Sequence, residues 1–399
     1  MLGLLRARSG ALDPALGLLA FIAFIAQVGV AVMLPLLPLF ATELGASPFE
    51  LGLLTSAFAI TNGIGQLGAG FMTDRYGARR LLSGGLALYA SMNALIATAA
   101  TATWLLTWRA LSGFGGGALI VSERLYIVEV TRPERRAFAN GIVSAAGSAG
   151  TVMGPAFGGL IAAVGGLRAP FVVVATTSAI AFVASLALRR RRVASDDTGG
   201  SPTPDDLGRS NRSALAALLV ANIAVMAGYG AFITTYAPFA TQRLAWTTVD
   251  VGVAFSFLGG GSILLGPALA HLADRTSRRA IAMVGTIPVA LFGIVLVLGA
   301  DRPIVWAVAF IAGGGLTAYN AAWYALLADA SGARRRGRTF GIVSAISNAG
   351  IVLGATAAAQ LWERVDLSAG VVSASVATLL PIVPLAFLRI REAKATVAT

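Results

Sequence analysis

The chain has 399 residues, of which 57% are hydrophobic and only 12% are charged, and this composition excludes an ordinary soluble protein. Its net charge of +12 does not indicate nucleic-acid binding, because the basic residues fall in short clusters between long apolar runs. Cysteine is absent, which excludes disulfides and cysteine-based metal sites.

The long apolar runs predict an all-α membrane protein with twelve transmembrane helices. Each run is about as long as the ~20 residues that a helix needs to cross the hydrocarbon core, where a helix satisfies its own backbone groups. The first uncharged run, 15–42, is much longer than a signal-peptide core, so we interpret it as a retained span. The predicted spans are 15–40, 50–73, 81–100, 104–127, 140–164, 170–188, 214–240, 249–272, 280–299, 304–327, 339–362 and 369–388.

Arginine clusters between the spans set the predicted orientation. Most of the 30 Lys and Arg residues fall near the two termini and in every second loop, as do Arg75, Arg79 and Arg80. The positive-inside rule then places both termini in the cytoplasm, which agrees with an even number of spans. We therefore expect a multi-pass, monomeric protein of the cell inner (plasma) membrane, embedded in the lipid bilayer.

Residues 189–213 differ from their surroundings. Four arginines precede the stretch S-D-D-T-G-G-S-P-T-P-D-D, which has no apolar periodicity. This composition predicts a flexible cytoplasmic linker. It would join an N-terminal six-helix bundle, residues 1–188, to a C-terminal six-helix bundle, residues 214–399.

The two halves repeat each other at an offset of 200 residues. Gly141 to Gly154 and Gly341 to Gly354 are identical at 9 of 14 positions. The same offset carries Glu129 onto Asp329. One shared offset at distant places predicts two pseudo-symmetric bundles in the same orientation, with a substrate site between them near the membrane midplane.

A glycine pattern marks the span 140–164. Gly150 and Gly154 share one helix face and let another backbone approach closely, while Pro155 removes a backbone donor. The whole pattern comprises Gly141, Gly150, Gly154, Pro155, Gly158 and Gly159. It resembles the fifth-helix antiporter motif of drug/proton antiporters in the major facilitator superfamily. We expect this glycine face to form the close contact between the two halves.

The loop after the second span reads G-F-M-T-D-R-Y-G-A-R-R and resembles the cytoplasmic loop motif of the same superfamily. The matching positions are Gly70, Asp74, Arg75, Gly77, Arg79 and Arg80. The resemblance implies that Asp74 caps a helix start in the opposite half and that the arginines pair with Glu129. The mirrored set in the second half is Asp274, Arg275, Arg278, Arg279 and Asp329. We interpret both sets as a conformational latch. The alternative is a solvated loop that follows the positive-inside rule.

Arg109 lies inside the fourth span, in a stretch that resembles the fourth-helix motif of the superfamily, with Leu105, Gly113 and Gly115 also matching. A charge within a span is costly and therefore indicates function. In the family this arginine is tied to proton coupling, so the resemblance implies the same role here. The alternative is outward snorkelling to lipid head groups.

Glu123 is the only acid inside any predicted span, which makes it the default proton carrier. The seven-residue spacing from Arg109 through Gly116 to Glu123 places all three on one helix face. A local salt bridge with Arg124 explains Glu123 equally well. Many drug/proton antiporters carry an acid in the first span, where this chain has Gln27.

Neutral polar and aromatic residues deep in the spans are candidates for substrate binding: Gln27, Asn62, Gln66, Asn93, Asn222, Tyr229, Tyr319, Asn320 and Trp323. Each alone is more often a helix–helix contact or a core residue. As a set they favour an amphiphilic, largely apolar cavity. Tyr319, Asn320 and Trp323 fall within about one turn and are the best single candidate for a pocket.

The sequence has no nucleotide-binding glycine loop and no metal-ligand spacing, so we expect no cofactor, no metal and no enzymatic activity. The predicted function is secondary active export of amphiphilic small molecules in exchange for protons, by alternating access. One alternative is a nutrient importer or facilitator of the same superfamily. Another, from a different class, is a membrane sensor or scaffold that transports nothing.

Overall fold

The computed structural model describes residues 14–131, 135–189, 212–331 and 336–388, and these form fifteen α-helices with no strand among them. The helices are α1 (Pro14–Met33), α2 (Leu37–Glu43), α3 (Pro48–Tyr76), α4 (Ala78–Ala97), α5 (Ala102–Val130), α6 (Arg136–Gly165), α7 (Ala169–Leu186), α8 (Arg212–Arg243), α9 (Thr248–Leu264), α10 (Gly266–Arg275), α11 (Arg278–Val297), α12 (Arg302–Ala330), α13 (Arg336–Arg364), α14 (Leu367–Leu379) and α15 (Ile382–Ala386).

The helices make twelve spans, because α1 continues into α2, α9 into α10 and α14 into α15. Proline causes two of these breaks directly, since Pro35 and Pro381 cannot donate the amide hydrogen that would extend a helix. Among the described helices, seven are long and apolar enough, by length and composition, to cross a membrane. The remaining spans are shorter or carry more polar residues. The prediction of an all-α, twelve-span membrane protein is therefore confirmed.

The helix starts repeat with the same 200-residue offset as the sequence. Ser47 and Glu50 form a capping box at the start of α3, and Thr247 and Asp250 form one at the start of α9. In each box the first side chain accepts from the third helical amide while the acid accepts from the cap amide. These reciprocal bonds supply acceptors for backbone amides that have no partner within the helix, at equivalent places in both halves.

The helices pack as two bundles with matching internal contacts. In the first, α1 packs on α6 and α7, while α5 packs on α3 and α4. In the second, α8 packs on α13 and α14, while α12 packs on α9 and α11. The predicted pseudo-symmetry of two six-helix bundles is confirmed. The boundaries 1–188, 189–213 and 214–399 stay a prediction, and residues 190–211 of the linker lie outside the described residues.

The arginine clusters define two ends of the molecule. We call the end with the turns at Gly77, Thr131, Thr276 and Ser331 the basic end. The other end, with the turns at 44–47, 98–101, 166–168, 244–247, 298–301 and 365–366, is called the opposite end.

The most extensive contacts between the bundles are those of α6 with α9 and of α3 with α13. The Ala156 amide donates to the Ser256 hydroxyl at 3.1 Å, and the Thr248 hydroxyl donates to the Gly159 carbonyl at 3.0 Å. On the other side, the Ser56 hydroxyl donates to the Val352 carbonyl at 3.4 Å. All three bonds lie between the middle of the molecule and the opposite end.

Glycines toward the basic end have no such neighbours. A Cβ added at Gly68 of α3, or at Gly141 and Gly147 of α6, would meet no atom within 4 Å. A Cβ added at Gly52, near the opposite end of α3, would lie 2.7 Å from the Ala359 Cβ of α13. Among the described residues, the bundles are therefore in close contact toward the opposite end, and these glycines show no such contact toward the basic end.

The expected role of the glycine face in α6 needs correction. Added Cβ atoms at Gly150 and Gly154 would collide with α1, within 3 Å of the Val28 amide nitrogen and the Val28 carbonyl oxygen respectively, and one at Gly158 would meet α1 as well. That face therefore packs inside its own bundle. Contact with the other bundle comes from the next face, where Gly159 meets α9 and the Pro155 carbonyl approaches Gly252. The four-residue spacing identified a close-packed face, but it carried no information about which helix lies against it.

Candidate functional site

Arg109 of α5 lies near the centre of the molecule, and its side chain is only 4% exposed. The Phe58 ring lies over its guanidinium, with 3.6 Å between Cζ and the ring centroid. Its Nη1 is 3.9 Å from the Met33 sulfur, and its Nε has no hydrogen-bond partner among the described residues. The burial excludes the snorkelling interpretation, because a snorkelling arginine keeps its charged group in the polar interface.

A cavity of about 100 Å³ adjoins Arg109 and lies between the bundles. The first bundle contributes Thr55, Phe58 and Asn62 from α3, and the second contributes Tyr229 from α8 and Asn348 from α13, among other residues. None of the described residues that line it carries a carboxylate. The site thus combines one buried cation with neutral hydrogen-bonding groups from both halves.

A second cavity, of about 250 Å³, lies within the C-terminal bundle and is largely apolar. Its aromatic wall is formed by Phe232, Phe255 and Phe292, whose rings pack with centroid separations of 5.4–5.6 Å around Phe232. Tyr229 lines this cavity as well as the one beside Arg109, and its side chain is 39% exposed. Tyr229 therefore stands where the charged and the apolar compartments join.

A third cavity, of about 420 Å³, is a cleft between α3 and α13. It shares Ala59 and Asn348 with the cavity beside Arg109. From there it follows α3 through Ile64 to Leu67, toward the basic end. We call this cavity the α3/α13 cleft, and it adjoins the cavity beside Arg109.

The predicted polar residues of the first bundle separate into site and packing positions. Asn62 lines the cavity beside Arg109, and its side-chain oxygen accepts from Gln66 at 2.7 Å. Asn93 is fully buried and donates to the Tyr89 carbonyl at 2.7 Å, which is a contact inside α4. Gln27 is exposed on α1, near Gly150. Among the predicted polar residues of the first bundle, only Asn62 lines one of the three cavities described above.

The predicted polar and aromatic residues of the second bundle also divide into cavity and packing positions. Asn320 lines the apolar cavity, but Tyr319 and Trp323 are almost fully buried in the bundle core, where the Trp323 indole donates to the Leu218 carbonyl at 2.9 Å. Asn222 donates to the Ser347 hydroxyl at 2.8 Å and joins α8 to α13. The predicted pocket of Tyr319, Asn320 and Trp323 therefore does not form, because these residues point to different sides of α12.

Glu123 is half-buried on α5, about 21 Å along the helix axis from Arg109. It makes no hydrogen bond or ion pair with another described residue beyond an electrostatic interaction with the adjacent Arg124. The helical spacing places it on the Arg109 face but too far away for a direct contact. The two residues do not form one pair.

The predicted latch residues make contacts inside each bundle. The Ala78 amide donates to the Glu129 carboxylate at 3.1 Å, and the Arg278 guanidinium is 2.7 Å from Asp329. The two interactions sit at equivalent places of the repeat. The Arg79 side chain donates to the Leu186 carbonyl at the end of α7.

The other predicted latch residues have fewer described contacts. Arg75 is exposed and lies 5.5 Å from the ring of Tyr76, and Arg275 is exposed too. Gly77 has φ +80, a conformation that favours glycine and that permits the turn between α3 and α4. An added Cβ at Gly70 would meet nothing within 4 Å. The side chains of Asp74 and Asp274 lie outside the described residues.

Sequence reasoning missed several residues that line the cavities. Phe58 and Asn348 complete the surroundings of Arg109, while Phe232, Phe255 and Phe292 form the apolar wall. Hydrophobic phenylalanines in apolar spans carry no local signal that separates a cavity wall from lipid or core. The repeat could have indicated Asn348, because the equivalent position in the first half is Ser148, also polar.

Comparisons with known proteins agree with this architecture. The Major Facilitator Superfamily profile matches residues 19–216 and 218–398. Among curated proteins, the chain is similar to "Multidrug resistance protein 2" of Bacillus subtilis (strain 168), with 27% identity over 235 residues, which is 57% of this chain and 58% of the relative. It is also similar to "Quinolone resistance protein NorA" of Staphylococcus aureus (strain MSSA476), with 25% identity over 244 residues, 61% of this chain and 62% of the relative. The chain thus spans about three fifths of the length of the curated relatives it matches.

Two solved structures share the fold. One is a bacterial homologue of the human lysosomal transporter Spinster, in an inward-facing and occupied conformation, with a TM-score of 0.73, 19% identity and 94% of each chain covered. The other is a single-residue mutant of the nucleoside transporter NupG, with a TM-score of 0.78, 13% identity, and 94% of this chain and 99% of that chain covered. At these identities the likeness concerns the fold alone.

Proposed function

Because the chain belongs to the Major Facilitator Superfamily, whose profile matches nearly its whole length, we propose that it exports amphiphilic small molecules in exchange for protons by alternating access. The observation that carries the proposal is a central site lined by both bundles, beside which the α3/α13 cleft extends toward the basic end. Rocking of two bundles around such a site exposes it to the two sides of a membrane in turn. One chain supplies both halves of the site, so a monomer suffices.

The basic end is the cytoplasmic end in this proposal, because positive residues favour the cytoplasmic side. Both termini then lie in the cytoplasm of a protein of the inner (plasma) membrane. The described conformation is inward-open, with the α3/α13 cleft as the entry from the cytoplasm. A molecule that reaches the central site from this side and leaves after the bundles rock is exported.

The character of the cavities supports an amphiphilic substrate. The cavity of about 250 Å³ has an aromatic wall, and the adjoining site beside Arg109 supplies the polar contacts. Two curated relatives are named for multidrug resistance and quinolone resistance. Export of foreign compounds by this chain is a proposal that these names and the cavity support together.

Proton exchange requires a group that takes up and releases a proton during the cycle, and we assign this role to Glu123. Its half-buried carboxylate lies on the helix that carries Arg109 and makes no ion pair with a distant described residue. A carboxylate in a span changes its access to water when the bundles move. Arg109 would sense the change of charge through the shared helix face and alter substrate affinity.

Contacts at the basic end support the proposed conformational latch. In the inward-open form, Glu129 accepts from the first amide of α4, and Asp329 holds Arg278. We propose that closing the basic end brings Asp74 and Asp274 to helix starts in the opposite bundle. The latch would then stabilise the outward-open form, while the contacts at the opposite end stabilise the inward-open form.

Transport of a panel of lipophilic drugs in proteoliposomes with an imposed pH gradient tests the proposal. Wild-type protein should accumulate substrate in the more acidic compartment as protons leave it. Glu123→Gln should abolish the dependence of substrate transport on the pH gradient. Glu43→Gln removes the same charge from an exposed position of α2 and should transport normally. Gradient-driven transport that Glu123→Gln leaves intact would remove this residue as the carrier.

The same vesicles separate the alternatives. Uptake of nutrients that equilibrates without a pH gradient would favour a facilitator. No transport of any compound, together with an output that depends on the linker, would favour a sensor or scaffold.

A further inference from the structure

We propose that Arg109 is the anchor for an anionic head group, and that the ligands of the central site are compact organic carboxylates with an aromatic body. The inference rests on the proposed function, since it names the class of molecule carried. Its observations are separate: a buried cation without a carboxylate partner, placed beside an apolar aromatic cavity.

The first step concerns the hydrogen bonds of Arg109. A guanidinium carries five N–H donors in a fixed fork. The described contacts are the Phe58 ring, which stabilises the charge but accepts no conventional hydrogen bond, and the weak sulfur acceptor of Met33. The guanidinium also interacts with the Tyr89 side chain, whose single hydroxyl oxygen can accept from only part of the fork. The Nε–H has no partner among the described residues, although the side chain is almost fully buried. Donors therefore remain for an acceptor in the adjoining cavity.

The second step concerns the surrounding charges. The groups that face Arg109 are neutral: Phe58 and Asn62 on α3, Met33 on α1, Tyr89 on α4, Tyr229 on α8 and Asn348 on α13. No acid is found among the lining residues that the structure describes, either for this cavity or for the apolar one. A cationic ligand here would meet an uncompensated positive charge, whereas a carboxylate would supply the missing partner.

The third step concerns shape. A carboxylate matches the fork of a guanidinium with two parallel hydrogen bonds. The amide of Asn348 and the hydroxyl of Tyr229 are positioned at the same cavity as additional donors. Tyr229 also borders the aromatic cavity, so a head group at Arg109 places its body beside Phe232. The cavity of about 250 Å³ suits a body of about two fused rings and is below the usual range of ~300–1,000 Å³ for ligand sites.

Equilibrium binding to the purified full chain tests this without a membrane gradient. The probes are 1-naphthylacetate, its methyl ester and 1-naphthylethylammonium, which share the body and differ in head-group charge. Wild-type protein should prefer the carboxylate to both by roughly 10- to 100-fold, the range expected for charge-assisted hydrogen bonds. Equal or tighter binding of the ester or the ammonium would overturn the proposal, and this comparison needs no variant.

Variants then locate the anchor. Arg109→Gln should bring carboxylate binding down to the level of the ester and leave ester binding unchanged. Arg109→Lys keeps the charge but not the fork and should retain part of the preference. Arg168→Gln, which removes an exposed arginine from the opposite end, should behave as wild type. A folded Arg109→Gln that keeps the full preference would refute the assignment.

The result is independent of the proposed export. If the carboxylate binds with the expected preference but no proton-linked transport occurs, the proposed function fails and the anion site stands. If proton-linked transport is found and is selective for cations, the anion site fails and the proposed function stands.

Discussion

Gly52→Ala should shift the protein away from the described form, which we propose to be inward-open. Gly52 lies near the opposite end of α3, where α3 meets α13 of the other bundle. The added methyl carbon would stand 2.7 Å from the Ala359 Cβ and 2.8 Å from the Ala355 carbonyl oxygen. Carbon atoms in good contact are ~3.5–4.0 Å apart, so the two helices would have to separate by roughly 1 Å.

The size of the effect follows from the cost of overpacking, which is about 1–3 kcal/mol. This cost falls on the described form, because the proposed alternating-access cycle separates α3 from α13 at this end in its outward-open form. The equilibrium between the two forms should therefore move by roughly 5- to 150-fold. A minor outward-open population would become directly measurable.

Distances between spin labels provide the assay. Ala100→Cys and Asp301→Cys place one label on each bundle in exposed turns at the opposite end, and the chain has no other cysteine. Wild-type protein should show mainly one distance. Gly52→Ala should add a longer one.

Gly115→Ala is the matched control. Its added Cβ would lie 2.8 Å from the Gly85 carbonyl oxygen and 2.9 Å from the Tyr89 amide, almost the same overlap, but between two helices of one bundle. It should reduce thermal stability and leave the distance distribution unchanged. If both variants change the distribution equally, or if folded Gly52→Ala leaves it as in wild type, the bundles do not move as inferred.

Three further predictions concern the basic end and the pocket. Arg278→Ala should lower the free energy of unfolding by about 1–2 kcal/mol, because Asp329 loses a partly buried partner; a double-mutant cycle that shows no coupling would contradict this. Glu129→Ala should cost about 1 kcal/mol in thermal unfolding by leaving the first amide of α4 without its acceptor, and Glu129→Gln should cost less because it keeps an oxygen there. Asn320→Leu should change ligand affinity with little change in melting temperature, whereas Trp323→Phe should do the reverse, and equal effects on affinity would argue against the separation of core and cavity on α12.

The architecture was predictable because the bilayer and the repeat leave few alternatives. Long uncharged runs must be helices in a membrane, and a constant offset of 200 residues fixes two similar bundles. The capping boxes at Ser47 and Thr247 repeat this offset in atomic detail. Span ends were less predictable: the first predicted span, 15–40, is divided where Pro35 interrupts the helix.

The site was predictable only where charge identified it. Arg109 could be predicted as a site residue because an arginine in a span is costly, and the structure places it beside a central cavity. Neutral residues gave a weaker signal. Asn62 and Asn320 line cavities, while Asn93 and Trp323 form internal hydrogen bonds, and the difference depends on which face each helix turns to its neighbours.

The contacts of Gly150 also show what a sequence pattern cannot predict. A small residue predicts that a backbone comes close, and one does, at the amide of Val28. Whether that backbone belongs to the same bundle depends on tertiary arrangement. A single helix face cannot encode it.

The α3/α13 cleft has a consequence for inhibition. In the proposed cycle, closing the basic end brings the two walls of this cleft of about 420 Å³ together. A compound wedged between Ile64 and Leu353 would keep the walls apart and arrest the cycle mechanically. Such a blocker need not resemble any cargo, and substitutions at Arg109 that alter cargo choice would not confer resistance to it.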